Sequence, residues 1–210
     1  MKKKSRLVYF NGKFVEEKDA KISIYDSALM FGDMVFEMTR SFNKKQFKLR
    51  EHIKRLLLGV KIYRIPLKLN EDELIDICNK TIEINEPFFE ETDEHRLMIN
   101  VSRGPLGIYA PVFDNKLEPT VIVADFPLKW TVAGMGKFFQ SGINAVIPSQ
   151  RMIPSNLLEA KVKNRSRIHY MMANIEVSKF KSNNTWALLM DDEGFVTEGT
   201  GSNFFLVKNN

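Results

Sequence analysis

Two lysines and one glutamate in the last third of the chain stand in local sequences that could support chemistry. Lys161 and Lys163 lie two residues apart, at the opening of a segment over 165–180 that has helical character. Glu198 follows on a strand-like segment, at the point where the chain opens into the Gly-, Thr- and Ser-rich loop 199–203. Loops of this composition often only join two strands, but they also let backbone N–H groups approach a ligand closely.

An arginine in the first half of the chain completes the set. Arg55 falls on the inward face of a predicted helix, beside Leu56. A lysine, a carboxylate, an arginine and a Gly/Ser/Thr-rich loop are together what pyridoxal 5'-phosphate (PLP) requires. The lysine amine attaches to the cofactor, the carboxylate keeps the pyridine nitrogen protonated, and the arginine binds the phosphate. None of these residues is diagnostic alone, whereas their combination predicts a PLP site.

The elements that must position these groups follow from hydrophobic periodicity and turn signals. Asn11-Gly12 predicts a hairpin turn, Pro66 ends one helix, and Asn70 with Glu73 forms a capping box for the next. The predicted strands are 7–10, 13–15, 34–42, 46–49, 97–102, 120–126, 144–147 and a pair around 193–194, and the predicted helices are 50–63, one after Asn70, and 165–180. This pattern is typical of an α+β protein with two domains, 1–130 and 138–210, joined by a linker at 131–137.

Composition excludes several other classes of function. The net charge is +5, but the basic residues are scattered, which does not favour a nucleic-acid partner. The histidines and the single Cys78 show no metal-ligand spacing, so no metal site is expected. Neither a signal peptide nor a segment long enough to span a membrane is recognisable, and we expect no membrane association and a cytoplasmic location.

Four segments in succession resemble the signatures of the fold-type IV (class IV) PLP-dependent aminotransferases. They are residues 26–37, 50–56, 61–66 and 196–205, and the resemblance extends over essentially the whole chain. It implies a two-domain fold of the D-amino-acid aminotransferase type and a homodimer with each site near the subunit interface. It also implies that Arg55 binds the cofactor phosphate and Glu198 the pyridine nitrogen. The residues implied to line the cofactor are Gly199, Thr200, Gly201, Ser202 and Asn203.

The lysine that holds the cofactor is either Lys163 or Lys161. Matching the family's lysine-to-helix segment without a gap onto residues 163–176 selects Lys163, whereas Lys161 requires two inserted residues. Periodicity does not decide between them, because residues two apart in an extended segment point to the same side. Lys163 is our prediction, with Lys161 as the alternative.

The resemblance leaves the reaction open between two outcomes that share their first steps. Wording such as Lys61-Ile62-Tyr63-Arg64-Ile65-Pro66 is similar to branched-chain aminotransferases, which transfer an amino group from a small amino acid to a 2-oxo acid. Arg103-Gly104 is nearer to 4-amino-4-deoxychorismate lyase, which releases pyruvate and 4-aminobenzoate. Ile108-Tyr109-Ala110 replaces the carboxylate-binding Arg-x-His of D-amino-acid enzymes. The candidate substrate-binding residues are Phe31, Phe36, Arg40, Arg103 and Tyr109, with Arg96 as a further carboxylate-binding candidate.

Members of this family continue beyond the position that corresponds to Asn210, with a further phosphate-binding loop and part of the second domain. We therefore expect the second domain of this chain to be incomplete and the gene truncated. An inactive remnant that acts only as a dimerising or binding module is the alternative from a different class.

Overall fold

This computed structural model describes residues 5–180 and 184–209. The chain forms two compact units, the first comprising Met1–Val132 with Lys161–Ser166 and the second Ala133–Ala160 with Arg167–Asn210. The boundaries predicted from the sequence remain a prediction. What the structure adds is that the segment with both candidate lysines belongs to the first unit.

The first unit is built on one antiparallel sheet. Its six strands lie in the order β2-β1-β6-β5-β3-β4. The elements of this unit are β1 (Leu7–Phe10), β2 (Lys13–Glu16), α1 (Ser27–Phe31), β3 (Met34–Phe42), β4 (Lys45–Gln46), α2 (Leu49–Ile62), α3 (Glu71–Asn85), β5 (His95–Ser102), β6 (Thr120–Pro127) and α4 (Lys129–Val132). Short 3-10 turns lie at Glu17–Asp19, Glu86–Phe88 and Gly107–Phe113.

The local signals for this unit are largely confirmed. Asn11 and Gly12 have φ angles of 45° and 84°, which a two-residue hairpin turn between β1 and β2 requires. Asn70 and Glu73 form the predicted capping box of α3. The predicted strand 46–49 is wrong beyond Gln46, because Lys48 takes a left-handed φ of 55° and α2 begins directly after it.

Helices α2 and α3 cover one face of the sheet. Ile53, Leu56 and Val60 of α2 are buried at helical spacing, and they join β-strand residues and Leu74 of α3 in one apolar core. Gly59 brings α2 close to its neighbours, since a Cβ there would lie 3.2 Å from Val35 and 3.3 Å from Val162. The helix therefore presses both against β3 and against the segment with the lysines.

A buried histidine links β5 to β6 on this sheet. His95 is fully buried, its Nδ1 lies 2.9 Å from Oδ2 of Asp125, and its Nε2 contacts the carboxylate of Glu86. Burial alone would lower the pKa of His95, but the two carboxylates outweigh it and hold the pKa above its usual value. Protonated His95 thus compensates the otherwise isolated carboxylate of Asp125, which is 2% exposed.

We expect this pair to make stability depend on pH. A pKa that is raised in the folded state gives stability that is complete below the unfolded value near 6.5 and is lost as pH rises through the folded value. Urea unfolding should therefore show a lower free energy of unfolding at about pH 9 than at about pH 6. His95→Gln should cost about 3–5 kcal/mol near neutral pH by leaving Asp125 without its cation, and should flatten the pH dependence. An unchanged pH slope in the variant would contradict this role.

The second unit contains a smaller sheet with one helix packed against it. Its elements are a 3-10 turn at Ala133–Met135, α5 (Phe138–Ser141), β7 (Asn144–Val146), α6 (Ile168–Val177), β8 (Thr185–Met190) and β9 (Val196–Gly199). Strand β8 is central, parallel to β7 and antiparallel to β9. Tyr170, Ala173 and Val177 of α6 pack with Ala187 and Leu189 of β8. The linker predicted at 131–137 is not featureless, since α4 and the 3-10 turn occupy much of it.

Helix α6 is shorter than the predicted 165–180, and the reason lies in the backbone before it. The N–H of Phe36 donates to the carbonyl of Lys163 at 2.9 Å, and the N–H of Arg165 donates to the carbonyl of Met34 at 3.0 Å. Residues 163–165 are therefore held in extended conformation beside β3, and the helix begins only at Ile168.

Candidate cofactor-binding site

Arg55 is held in place by a carboxylate that has no access to solvent. Its Nε and Nη2 both donate to Glu37 of β3, Nη2 to Oε2 at 2.8 Å, and Glu37 is fully buried whereas the Arg55 side chain is 49% exposed. Burial alone would raise the pKa of Glu37, but the hydrogen bonds from His52 and Arg55 hold it below its usual value. The guanidinium is thus fixed at one edge and open at the other.

The two candidate lysines have different surroundings. Lys161 is exposed, Val162 points into the core, and Lys163 is half-buried. The Nζ of Lys163 lies 5.0 Å from the ring centroid of Phe36, and the guanidinium carbon of Arg165 lies 3.7 Å from the same centroid. Arg165 also donates to Oδ1 of Asn100 at 2.8 Å. Partial burial beside an aromatic ring suits the cofactor lysine better than the exposed Lys161, so Lys163 remains our prediction.

Glu198 lies on β9 in the second unit, and α6 supplies its partner. The hydroxyl of Tyr170 donates to Oε1 of Glu198, and burial together with this carboxylate raises the pKa of Tyr170. Oε2 of Glu198 has no hydrogen-bond partner among the residues that the structure describes, so one oxygen remains available to a ligand. This is the acceptor that a protonated pyridine nitrogen needs.

The loop after Glu198 is tied to α6 and to itself. Thr200 donates through its hydroxyl to Oδ1 of Asn174 at 2.8 Å, and the N–H of Gly199 donates to the carbonyl of Ser202 at 3.0 Å. Gly199 is buried, whereas Gly201 and Asn203 are exposed. The loop is therefore anchored at its start and accessible further along.

The candidate substrate residues differ in how far the fold already engages them. Arg103 donates to Oδ2 of Asp33 at 2.7 Å and to the carbonyls of Tyr63 and Arg64 at 2.8 Å and 3.0 Å, which favours a structural role. Tyr109 stacks on Tyr25 with centroids 4.5 Å apart. Both remain predicted substrate residues, but their observed contacts are internal.

Phe36 and Arg40 share one face of β3, because side chains two apart in a strand point the same way. Arg40 is exposed and pairs across the sheet with Arg96, and burial and Arg40 both lower the pKa of Arg96. Phe31 lies on α1 and is 68% exposed. The structure thus places Lys163, Phe36, Arg40 and Arg96 along one part of the first unit.

Three residues that contact the predicted groups received no role from sequence reasoning. Glu37 and His52 hold Arg55, and Tyr170 holds Glu198. Glu37 had a recognisable signal, since it is a charged residue inside an otherwise apolar strand, and His52 stands three residues before Arg55 on the same helix face. Tyr170 had none, because its partner is 28 residues away in the chain.

The donor set in each unit fits PLP. The first unit supplies a guanidinium with outward N–H groups and a half-buried lysine. The second supplies a Gly-rich loop and a carboxylate oxygen that no described residue engages. Among residues 5–180 and 184–209, no cluster of His, Cys, Asp and Glu could hold a metal ion. Within the same ranges, every helix is too short or too polar to cross a bilayer.

Comparison with known proteins agrees with this chemistry. A provisionally named branched-chain-amino-acid aminotransferase of Methanocaldococcus jannaschii is 36% identical over 203 residues, which are 96% of this chain and 65% of that protein. The branched-chain aminotransferase from Thermoproteus uzoniensis, solved with norvaline, has a TM-score of 0.79 at 25% identity, covering 98% of this chain and 66% of that one. The enzyme from T.th., complexed with N-(5'-phosphopyridoxyl)-L-glutamate, has a TM-score of 0.79 at 26% identity over 98% of this chain and 65% of that one.

The family relationship follows from the extent of these matches. The chain spans about two thirds of the length of these relatives and shares their two-domain α+β fold over that part. The family model described as amino-transferase class IV matches residues 34–210, a range that contains Arg55, both lysines and Glu198. This chain belongs to the class IV aminotransferase family.

Proposed function

We propose that this chain binds PLP and transfers the amino group of a branched-chain amino acid to a 2-oxo acid. The observation that carries the proposal is that all the groups PLP chemistry needs lie within the family match and are held by local contacts. Arg55 is fixed by Glu37, Lys163 lies against Phe36, and Glu198 is fixed by Tyr170.

Each of these residues has a distinct task. When bound, PLP supplies an electron-accepting ring that makes the α-proton of an amino acid acidic. Arg55 binds the phosphate, and Glu198 keeps a proton on the pyridine nitrogen. The Nζ of Lys163 holds the cofactor until substrate arrives, and then takes the proton from the substrate α-carbon as a general base.

The surroundings of Lys163 suit an aliphatic substrate with a carboxylate. Phe36 and Met38 lie on one face of β3, and Met98 pairs with Met38 across the sheet. Arg40 and Arg96 form the next pair on that face. An aliphatic side chain would pack on the aromatic and thioether groups, and a carboxylate would be drawn to the arginines. The relatives named above, one of them solved with norvaline, favour the same substrate class.

An assay with two arms tests the reaction. Glutamate formation from leucine and 2-oxoglutarate is the expected activity of PLP-loaded protein. Pyruvate release from aminodeoxychorismate, without glutamate formation, would instead favour the lyase, which these relatives do not specifically support. Protein that takes up no PLP would overturn the proposal and favour the binding-module alternative.

We also propose that the chain forms a homodimer through α1 and the residues beside it. Leu29 and Phe31 are 62% and 68% exposed, and Ile24 just before the helix is 69% exposed. Large apolar side chains exposed together mark an interaction surface. Leu29→Glu should turn the dimer into a monomer in sedimentation equilibrium, whereas Leu58→Glu, at an exposed leucine of α2, should not. A wild-type monomer at all concentrations would contradict the dimer.

A further inference from the structure

The buried carboxylate of Glu37 has a role that the resemblance did not assign. It stands in the middle of β3 with no exposed surface, on the strand face that α2 covers. Arg55 and His52 both reach it from α2, His52 through Nδ1 at 2.9 Å from Oε2. A charge so deeply buried is costly unless it is fully paired, and these two side chains supply its partners.

The geometry of the guanidinium shows which donors remain. Arginine carries five N–H groups in a planar fork. Glu37 takes the Nε–H and one N–H of Nη2, which form one edge of the plane. Both hydrogens of Nη1 and the second hydrogen of Nη2 have no further partner among the described residues. These three donors form the outer end of the fork, on a side chain that is 49% exposed. This end matches two oxygens of a phosphate.

Glu37 therefore restricts Arg55 to one orientation. Without it, the side chain would lose the two bonds that fix the guanidinium plane, and would have to be ordered again whenever it bound an anion. His52 strengthens the arrangement, since positions 52 and 55 are neighbours on one helix face and meet the same carboxylate.

We propose that Glu37 is a positioning residue for the phosphate of PLP, because it holds Arg55 with its outer donors directed to the ligand. This inference rests on the proposed function, in which Arg55 binds that phosphate. Glu37 acts through Arg55 and does not itself contact the cofactor.

Glu37→Gln tests the proposal with two ligands that differ only in the phosphate. Dissociation constants for PLP and for pyridoxal are measured by absorbance titration of the full chain. We expect PLP to bind about 10- to 100-fold more weakly in the variant, as for loss of a charged hydrogen bond, while pyridoxal affinity changes less than about 2-fold. A merely structural role would weaken both ligands equally, and that result would overturn the inference.

Arg55→Met separates this inference from the proposed function. If Arg55→Met does not lower the preference for PLP over pyridoxal, the phosphate role of Arg55 itself is wrong. If Arg55→Met lowers it and Glu37→Gln does not, only the role of Glu37 is wrong. In the double variant, Glu37→Gln should add no further loss, because its effect passes through Arg55.

Asp125→Asn is the matched control, since it neutralises another buried carboxylate of the same sheet. It should lower stability and leave the PLP-to-pyridoxal ratio unchanged. If Glu37→Gln does not fold, His52→Gln serves in its place, with a smaller shift of the ratio in the same direction. A readout without PLP is the exchange with water of the Arg55 Nε–H, observed by NMR. It should be slow in the wild type and at least about 10-fold faster when Glu37 or its contact is altered, and fast exchange in the wild type would overturn the proposed arrangement.

Discussion

Lys163→Ala is expected to abolish both the yellow absorbance of the PLP-loaded chain and its transaminase activity. The side chain serves as the attachment point of the cofactor and as the base at the substrate α-carbon, so no other group can replace it. General acid–base catalysis alone contributes up to about 10⁴-fold, and we expect activity to fall by at least that factor. The measurement is glutamate formation from leucine and 2-oxoglutarate, together with the visible spectrum.

Lys161→Ala is the matched control for this prediction. It removes a lysine two residues away, in the same extended segment, but one that is exposed. The variant should retain the absorbance and activity within about 3-fold, since surface substitutions change little. The reverse result, with Lys161→Ala colourless and Lys163→Ala active, would transfer the role to Lys161.

Glu198→Gln is expected to have the second largest effect. The amide keeps the size of the carboxylate and an oxygen for the Tyr170 hydroxyl, but it has no charge to stabilise a proton on the pyridine nitrogen. An electrostatic contact of this kind contributes about 10²- to 10³-fold to catalysis, and kcat should fall by that factor. Because Arg55 and Lys163 are intact, the cofactor should still be bound covalently.

Glu193→Gln provides the control for Glu198. Glu193 is an exposed residue of the turn between β8 and β9, and its neutralisation changes the net charge equally. Its kcat should match the wild type. Equal losses in both variants would show that overall charge, and not the contact at the pyridine nitrogen, controls the rate.

Local signals predicted most of the elements, because their causes lie within a few residues. The Asn11-Gly12 turn and the Asn70 capping box needed no distant partner. Helix α6 did, since its true start depends on hydrogen bonds from 163–165 to β3, more than a hundred residues earlier. Periodicity within 165–180 carries no trace of that contact.

The same distinction applies to the site. Residue types and order identified the PLP chemistry and its three principal groups, Arg55, Lys163 and Glu198. Their supports escaped detection because side-chain pairing across elements is not visible in one sequence. Glu37 stood out only as a charge in an apolar strand, and Arg103 resembled a substrate ligand until its bonds to Asp33 and two carbonyls were known.

The central claim is that Lys163 holds PLP in this chain. Borohydride reduction of the PLP-loaded protein, followed by proteolysis and fragmentation mass spectrometry, identifies the modified lysine directly. The account predicts one pyridoxyl group per chain on Lys163, with Lys161 unmodified. A group on Lys161, or no stoichiometric labelling of either lysine, would contradict it.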